Sequence, residues 1–273
     1  MNGHRNNGNG NGVSTLTRPR ARKTALAKVC ILATELTHVG DRNGQPAPMV
    51  EVGGRPVLWH NLMHLNAHGV RDFVLALGAG GDRVKRYLLD YANLSSDLSL
   101  SLDRETVDHA GGTRPDWSID LIDVTAPEGV ERLHKNLAGS AFIVTSGDCV
   151  CDFDPAALLA FHKQQGRLAT LLAVRPQARF GTLDIEEGRV RCFAEKPQQE
   201  DGWVSSGILV LETAALGCAV SSGDAAALAE LASRGEVAVF KHGGFWHRLE
   251  TLRDKQVLDE QWLAGKAPWR TWA

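Results

Sequence analysis

Four short apolar runs constrain this chain more than anything else in it: Val29–Ala33, Phe73–Leu77, Ala141–Thr145 and Leu168–Val174. Runs of this length and continuity fit strands buried on both faces, which parallel sheets obtain from crossover helices. The intervening segments supply those helices. Val57–His68 places Val57, Leu58, Leu62 and Leu65 at helical spacing, and Gly69 suits the C-terminal cap. Arg83–Tyr91 predicts a second helix, and Trp117–Val124 alternates as a strand does. Pro155–Gln165 is opened by Asp154 as N-cap and Pro155 in the first turn. Strands alternating with helices predict a three-layer α/β/α fold with a mostly parallel sheet. The character changes later: a hairpin over Thr182–Ile185 and Val190–Ala194, a strand at Val204–Leu211, a helix at Ala225–Ser233, a strand at Glu236–Lys241 and a closing helix at Arg253–Leu263. In open α/β sheets ligands sit beyond the carboxyl ends of the strands, so the loops after Ala33, Leu77, Thr145 and Val174 are expected to line the site.

Residues 1–26 read as a disordered tail of alternating Asn and Gly followed by Arg18, Arg20, Arg22 and Lys23, which leaves one domain over 27–273. Lys plus Arg number 30 against 32 Asp plus Glu, a net charge of -2. That balance argues against nucleic acid or a membrane surface as partner. No apolar stretch is long enough to span a bilayer, and the polar start lacks a secretory h-region. Five cysteines, an odd number, point to reduced thiols and a cytoplasmic protein.

Several segments follow one another in a recognisable order. They are Pro48-Met49-Val50-Glu51-Val52-Gly53-Gly54-Arg55-Pro56, Ala67-His68-Gly69-Val70, Gly147-Asp148, Arg179-Phe180-Gly181-Thr182, Phe193-Ala194-Glu195-Lys196-Pro197, Gly243-Gly244-Phe245-Trp246 and Glu250-Thr251-Leu252-Arg253-Asp254-Lys255. In these the chain resembles the sugar-1-phosphate nucleotidyltransferases, and among them the glucose-1-phosphate cytidylyltransferases. The resemblance implies the Rossmann-like nucleotide-diphospho-sugar transferase fold and a reaction joining an NTP to a sugar 1-phosphate. It also implies magnesium, held here by Asp148 and Glu250. Gly181, Glu195, Lys196, Ser205 and Trp246 fall on the substrate side, with Glu195 toward the sugar and Lys196 toward a phosphate. A sugar phosphate or nucleotide sugar is the implied ligand, and a homo-oligomer the implied assembly, with Trp262, Trp269 and Trp272 offering either packing or a subunit contact.

The first loop departs from that family. Where the family carries a run like A-G-G-x-G-T-R-L and then K-P-K-P-M, this chain reads Ala33-Thr34-Glu35-Leu36-Thr37-His38-Val39-Gly40 and Gln45-Pro46-Ala47-Pro48-Met49. The glycines that bring backbone N–H groups to a triphosphate are gone, as are the arginine and both lysines. Glu35 adds a negative charge. Each missing phosphate-binding group of this kind is worth roughly 2–4 kcal/mol of transition-state stabilisation. Three readings follow. The protein binds a sugar phosphate or nucleotide sugar with the NTP reaction weak or lost, as a regulator or partner of an active homologue. Alternatively Glu35 and His38, facing Asp148 and Glu250, do acid/base or metal-assisted chemistry on a sugar-linked substrate. Or the ordinary cytidylyltransferase reaction persists, with Arg42, Arg55 or residues of the tail replacing the lost cations. A further site segment of the family, placed ahead of a helix, is shortened here to Glu128–Arg132.

Other chemistry-bearing residues have plainer readings. His60, His64 and His68 share a helix face at metal-ligand spacing, but lie in segments that match the family's fold rather than its metal site. Cys149 and Cys151 lack a second pair for zinc. Asp152 and Asp154 read as turn and cap residues. Ser146 and Ser206 have no histidine at a nucleophile's spacing.

Overall fold

The computed structural model describes residues 26–94, 97–101, 103, 106–110, 115–176, 182–186, 189–194, 202–216 and 225–272. The tail expected over residues 1–26 lies outside these except for Leu26.

Seven strands form the central sheet: β1 (Lys28–Ala33), β2 (Asp72–Leu77), β3 (Ser118–Asp123), β4 (Phe142–Thr145), β5 (Ala169–Val174), β6 (Val204–Leu211) and β7 (Val237–His242). Their order across the sheet is β7-β5-β6-β4-β1-β2-β3. β1 pairs in parallel with β2 and β4, β2 with β3, and β5 with β7. Only β6 runs against its neighbours β4 and β5. The sheet is thus mostly parallel, as the apolar runs predict.

Among the described residues the helices are α1 (Val57–Ala67), α2 (Gly81–Leu94), α3 (Pro127–Leu137), α4 (Pro155–Gln165), α5 (Ala225–Ser233) and α6 (Leu252–Leu263). The strand alternation sorts the core into two layers. Val29, Ile31, Phe73, Leu75 and Ile143 meet Leu58, Leu62 and Leu65 of α1, Val84 and Leu88 of α2 and Leu158 of α4. Cys30, Val74, Ala76, Phe142 and Val144 face the other way, onto Leu133 and Leu137 of α3 and Leu231 of α5. Burying each large side chain contributes about 1.5–3 kcal/mol, which is why β1, β2, β4 and β5 read as continuous apolar runs. A third cluster joins Val39, Val50, Val52, Val57, Val150, Leu249, Leu258 and Trp269, and docks α6 beside α1.

The structure corrects one predicted segment. Residues 128–132 do not precede a helix but are part of α3 itself, which starts at Pro127. Gly129 is buried there, so close to the Asp123 carbonyl that a side chain would collide with it. A hairpin, Asp97–Ser101 with Thr106–Ala110, is an element that the sequence pattern does not announce. Among the described residues no helix is long and apolar enough to cross a membrane.

Candidate functional site

The site is built where β4 ends. Ser146-Gly147-Asp148 turns the chain out of the sheet, and Gly147 adopts φ 74°. A Cβ there would lie 2.8 Å from Pro48 Cγ and 2.9 Å from Ile31 Cγ2 and the Leu32 carbonyl. Both the backbone angle and the space therefore require glycine. The turn leaves Asp148 buried, at 5% exposure. The next residues, Cys149–Cys151, pair antiparallel with Trp246–Arg248, Cys149 opposite Arg248 and Cys151 opposite Trp246. This pairing, locked by the Leu249 N–H donating to the Asp148 carbonyl at 2.9 Å, returns Arg248 to the end of β4.

Arg248 is the centre of the resulting charge cluster. Its Nε donates to Asp148 Oδ2 at 2.7 Å, while Asp148 Oδ1 accepts from Ser146 Oγ at 2.6 Å. Its guanidinium also lies 3.9 Å from Glu250 Oε1 and 3.9 Å from Glu35 Oε2. Partial burial alone would lower the arginine's pKa, but Asp148, Glu250 and Glu35 outweigh it and raise that pKa above its ordinary value. Asp148, Glu250 and Glu35 are thus brought together, and the residue that gathers them is one that no sequence motif singles out. Neither Arg42 nor Arg55 takes this place among the described contacts; Arg55 lies over the Trp59 ring, 5.6 Å from its centroid.

The donor set bears directly on magnesium. A divalent ion held by Asp148 and Glu250 needs their oxygens at about 2.0–2.6 Å. Both Asp148 oxygens are already hydrogen-bonded, and the guanidinium stands between the two carboxylates. As placed, these donors do not fit a divalent ion.

Glu250 is positioned by the start of α6. Asp254 Oδ2 accepts from the Glu250 N–H at 3.1 Å, the Thr251 N–H at 2.8 Å and Thr251 Oγ1 at 2.8 Å, and Thr251 Oγ1 accepts in return from the Asp254 N–H. This reciprocal cap fixes the residue just before it. Asp254 Oδ1 also faces His247 Nε2 at 3.2 Å. Trp246, His247, Arg248, Glu250 and Asp254, with Pro176 and Val204, line a cleft of about 250 Å³. Trp246 forms its half-buried wall, its Nε1–H donating to the Ser206 carbonyl at 3.0 Å. Ser205, exposed at the start of β6, lies next to that anchor. Gly181, Glu195 and Lys196 lie outside the described residues.

The loop after β1 is tied down rather than open. Leu36–Thr37 pairs with Gln45–Pro46, the Ala47 N–H donates to the Glu35 carbonyl at 2.9 Å, and Gln45 Nε2 donates to the Val39 carbonyl at 2.9 Å. Val39, at the position of the family's arginine, is buried against α6 in the third core cluster. His38 is exposed and sits at the far turn, its ring against Gly44 and near Asp41. Asp41 in turn pairs with Arg83 at 2.6 Å. Glu35 therefore reaches the cluster and His38 does not.

The plainer readings are also accounted for. His60 Nε2 donates to the Val52 carbonyl at 2.9 Å and His60 Nδ1 accepts from Trp269 Nε1 at 3.3 Å. His64 bonds the Phe153 carbonyl and Thr271 Oγ1, each at 2.9 Å. Burial lowers both imidazole pKa values to about 4. Burial pushes the Cys149 thiol up to about 12 and raises Cys151 well above its ordinary range, so neither is a ready thiolate. Asp154 caps α4, accepting from the Ala156 and Ala157 N–H groups. Asp152 does more than turn the chain: its Oδ1 holds His242 Nε2 and the Phe245 N–H, each at 2.8 Å. Trp269, at 1% exposure, and the half-buried Trp262 and Trp272 pack within this chain's own core.

An open α/β sheet with its charged cluster at the strand ends matches known proteins. The nucleotidyl transferase family model matches residues 43–237. Glucose-1-phosphate cytidylyltransferase of Salmonella typhi is 37% identical over 237 residues, covering 84% of this chain and 92% of that protein. A probable glucose-1-phosphate cytidylyltransferase of Bacillus subtilis is 29% identical over 238 residues, covering 84% and 93%. The crystal structure of HddC from Yersinia pseudotuberculosis superposes with a TM-score of 0.60 at 22% identity, over 86% of this chain and 99% of that one, a likeness of fold. The chain belongs to the sugar-1-phosphate nucleotidyltransferase family. Within that family its similarity is to the glucose-1-phosphate cytidylyltransferases.

Proposed function

We propose that this protein binds a sugar phosphate or nucleotide sugar in the cleft beside Trp246 and Arg248, and that its NTP-dependent reaction is weak or lost. The observation that carries this reading is Glu35. Its carboxylate projects from the mouth of β1, where the family resemblance puts a triphosphate, toward the guanidinium that Asp148 also holds. An incoming triphosphate meets a carboxylate there and a loop closed by its own hydrogen bonds, with the family's arginine position buried as valine. The absence of two or three phosphate-binding groups worth roughly 2–4 kcal/mol each lowers turnover by several orders of magnitude. The acid/base reading draws no support from His38, which stands apart from the cluster.

The test is direct. The protein is incubated with CTP, magnesium and glucose 1-phosphate, and pyrophosphate is followed. The expected result is no release above background, with a thermal shift on CDP-glucose or glucose 1-phosphate and none on CTP. Steady pyrophosphate release establishes instead an active cytidylyltransferase, the third reading, with which the 37% identity over most of both chains is compatible.

A further inference from the structure

We propose that the guanidinium of Arg248 is the resident cation of this site, standing where a divalent metal would otherwise join Asp148 to Glu250. Four observations carry it. Arg248 makes its shortest ion pair, 2.7 Å, with the buried Asp148, and lies 3.9 Å from Glu250. The second oxygen of Asp148 accepts from Ser146 Oγ at 2.6 Å, so both oxygens of this carboxylate are engaged within the chain. The arrangement is built into the backbone: the pairing of Cys149–Cys151 with Trp246–Arg248 sets Arg248 opposite Cys149, one residue from Asp148. Finally, the Arg248 side chain is 39% exposed and lines the cleft, so part of its charge faces incoming ligand.

A cation attached to the chain changes what the site binds and when. A guanidinium neutralises carboxylates and offers planar N–H donors to a phosphate, but it binds phosphate oxygens by hydrogen bonds and not by direct coordination as a divalent ion does. The ligand that fits is a phosphate monoester or diphosphate ester set against Arg248, with its apolar or sugar portion on Trp246. Its binding then needs no metal. The class of ligand rests on the reading under Proposed function; the placement of the cation does not.

Manganese binding, read from the electron paramagnetic resonance of free Mn²⁺, tests the placement. The wild-type protein is expected to bind no Mn²⁺ at this site up to millimolar concentrations. Arg248→Gln exposes Asp148 and Glu250 to one another, and Mn²⁺ binding should tighten by about two orders of magnitude, the scale set by removing one like charge at about 4 Å in a partly screened site. Arg248→Lys keeps the charge and should remain without Mn²⁺. A stoichiometric Mn²⁺ site in the wild type that is lost in Asp148→Asn overturns the proposal. So does equal Mn²⁺ affinity in wild type and a folded Arg248→Gln. If Arg248→Gln does not fold, the wild-type titration decides alone. In parallel, the thermal shift on CDP-glucose is measured in EDTA and in magnesium. Equal shifts support the proposal, and a shift seen only in magnesium overturns it. No shift in either condition refutes the binding reading under Proposed function, and the Mn²⁺ titration still decides the place of the cation.

Discussion

Gly147 is the residue at which backbone geometry and chemistry meet. Its left-handed φ of 74° and its tight surroundings of Ile31, Pro48 and the Leu32 carbonyl aim Asp148 at Arg248. Gly147→Ala adds both a strained φ and an overpacked methyl, and we expect a loss of about 2–3 kcal/mol, read as a lower urea midpoint at unchanged slope. Thr251→Ala removes the cap of α6 for about 1 kcal/mol and loosens Glu250; the same denaturation series measures it. At this scale the sequence was partly legible. Asp148 follows a buried strand directly, a position where α/β sheets place ligands. Arg248 was not legible, because nothing in the local pattern says that Trp246–Arg248 will pair with Cys149–Cys151 and face Asp148. The burial of Val39 was equally hidden: a single apolar residue in a loop carries no period, and its partners Leu249 and Leu258 lie some two hundred residues away.

Among the elements, those with a clear period were readable to within a residue or two. α4 and β6 fall where Asp154-Pro155 and the Val204–Leu211 run put them, and β1, β2, β4 and β5 follow their apolar runs closely. The pairs of two or three residues around the site were unreadable, since such lengths show no alternation. α3 was obscured because its start coincides with a segment matched to a site segment of the family that precedes a helix, although Leu133 and Leu137 lie at helical spacing. The docking of α6 on α1 yields a prediction of its own. Trp269 fills the space between them at 1% exposure and donates to His60. Trp269→Ala is expected to cost about 3–5 kcal/mol, seen as a lowered melting temperature; its neighbour Trp272, only half-buried, should cost less on the same substitution.

For the whole molecule, the two buried histidines set an acid limit. Folded, His60 and His64 have pKa values of about 4; unfolded, an imidazole titrates near 6.5. Between these values the unfolded chain binds protons that the folded chain refuses, so stability is complete above pH ~6.5 and falls as the pH drops toward 4. From pH 7.5 to 5 the two together remove up to about 4 kcal/mol, about 1.4 kcal/mol per pH unit for each ring over about 1.5 units. Urea unfolding at the two pH values measures it, and the double variant His60→Gln, His64→Gln should flatten the difference. The same corner has an optical consequence. Trp59, Trp262, Trp269 and Trp272, four of the seven tryptophans, surround His60 with ring centroids 4.6–6.2 Å from its own. Indoles this close couple their electronic transitions, so this small region is expected to contribute a distinct signal to the aromatic circular dichroism of the folded protein. Loss of that signal reports the undocking of α6, whether or not the sheet beneath it has begun to open.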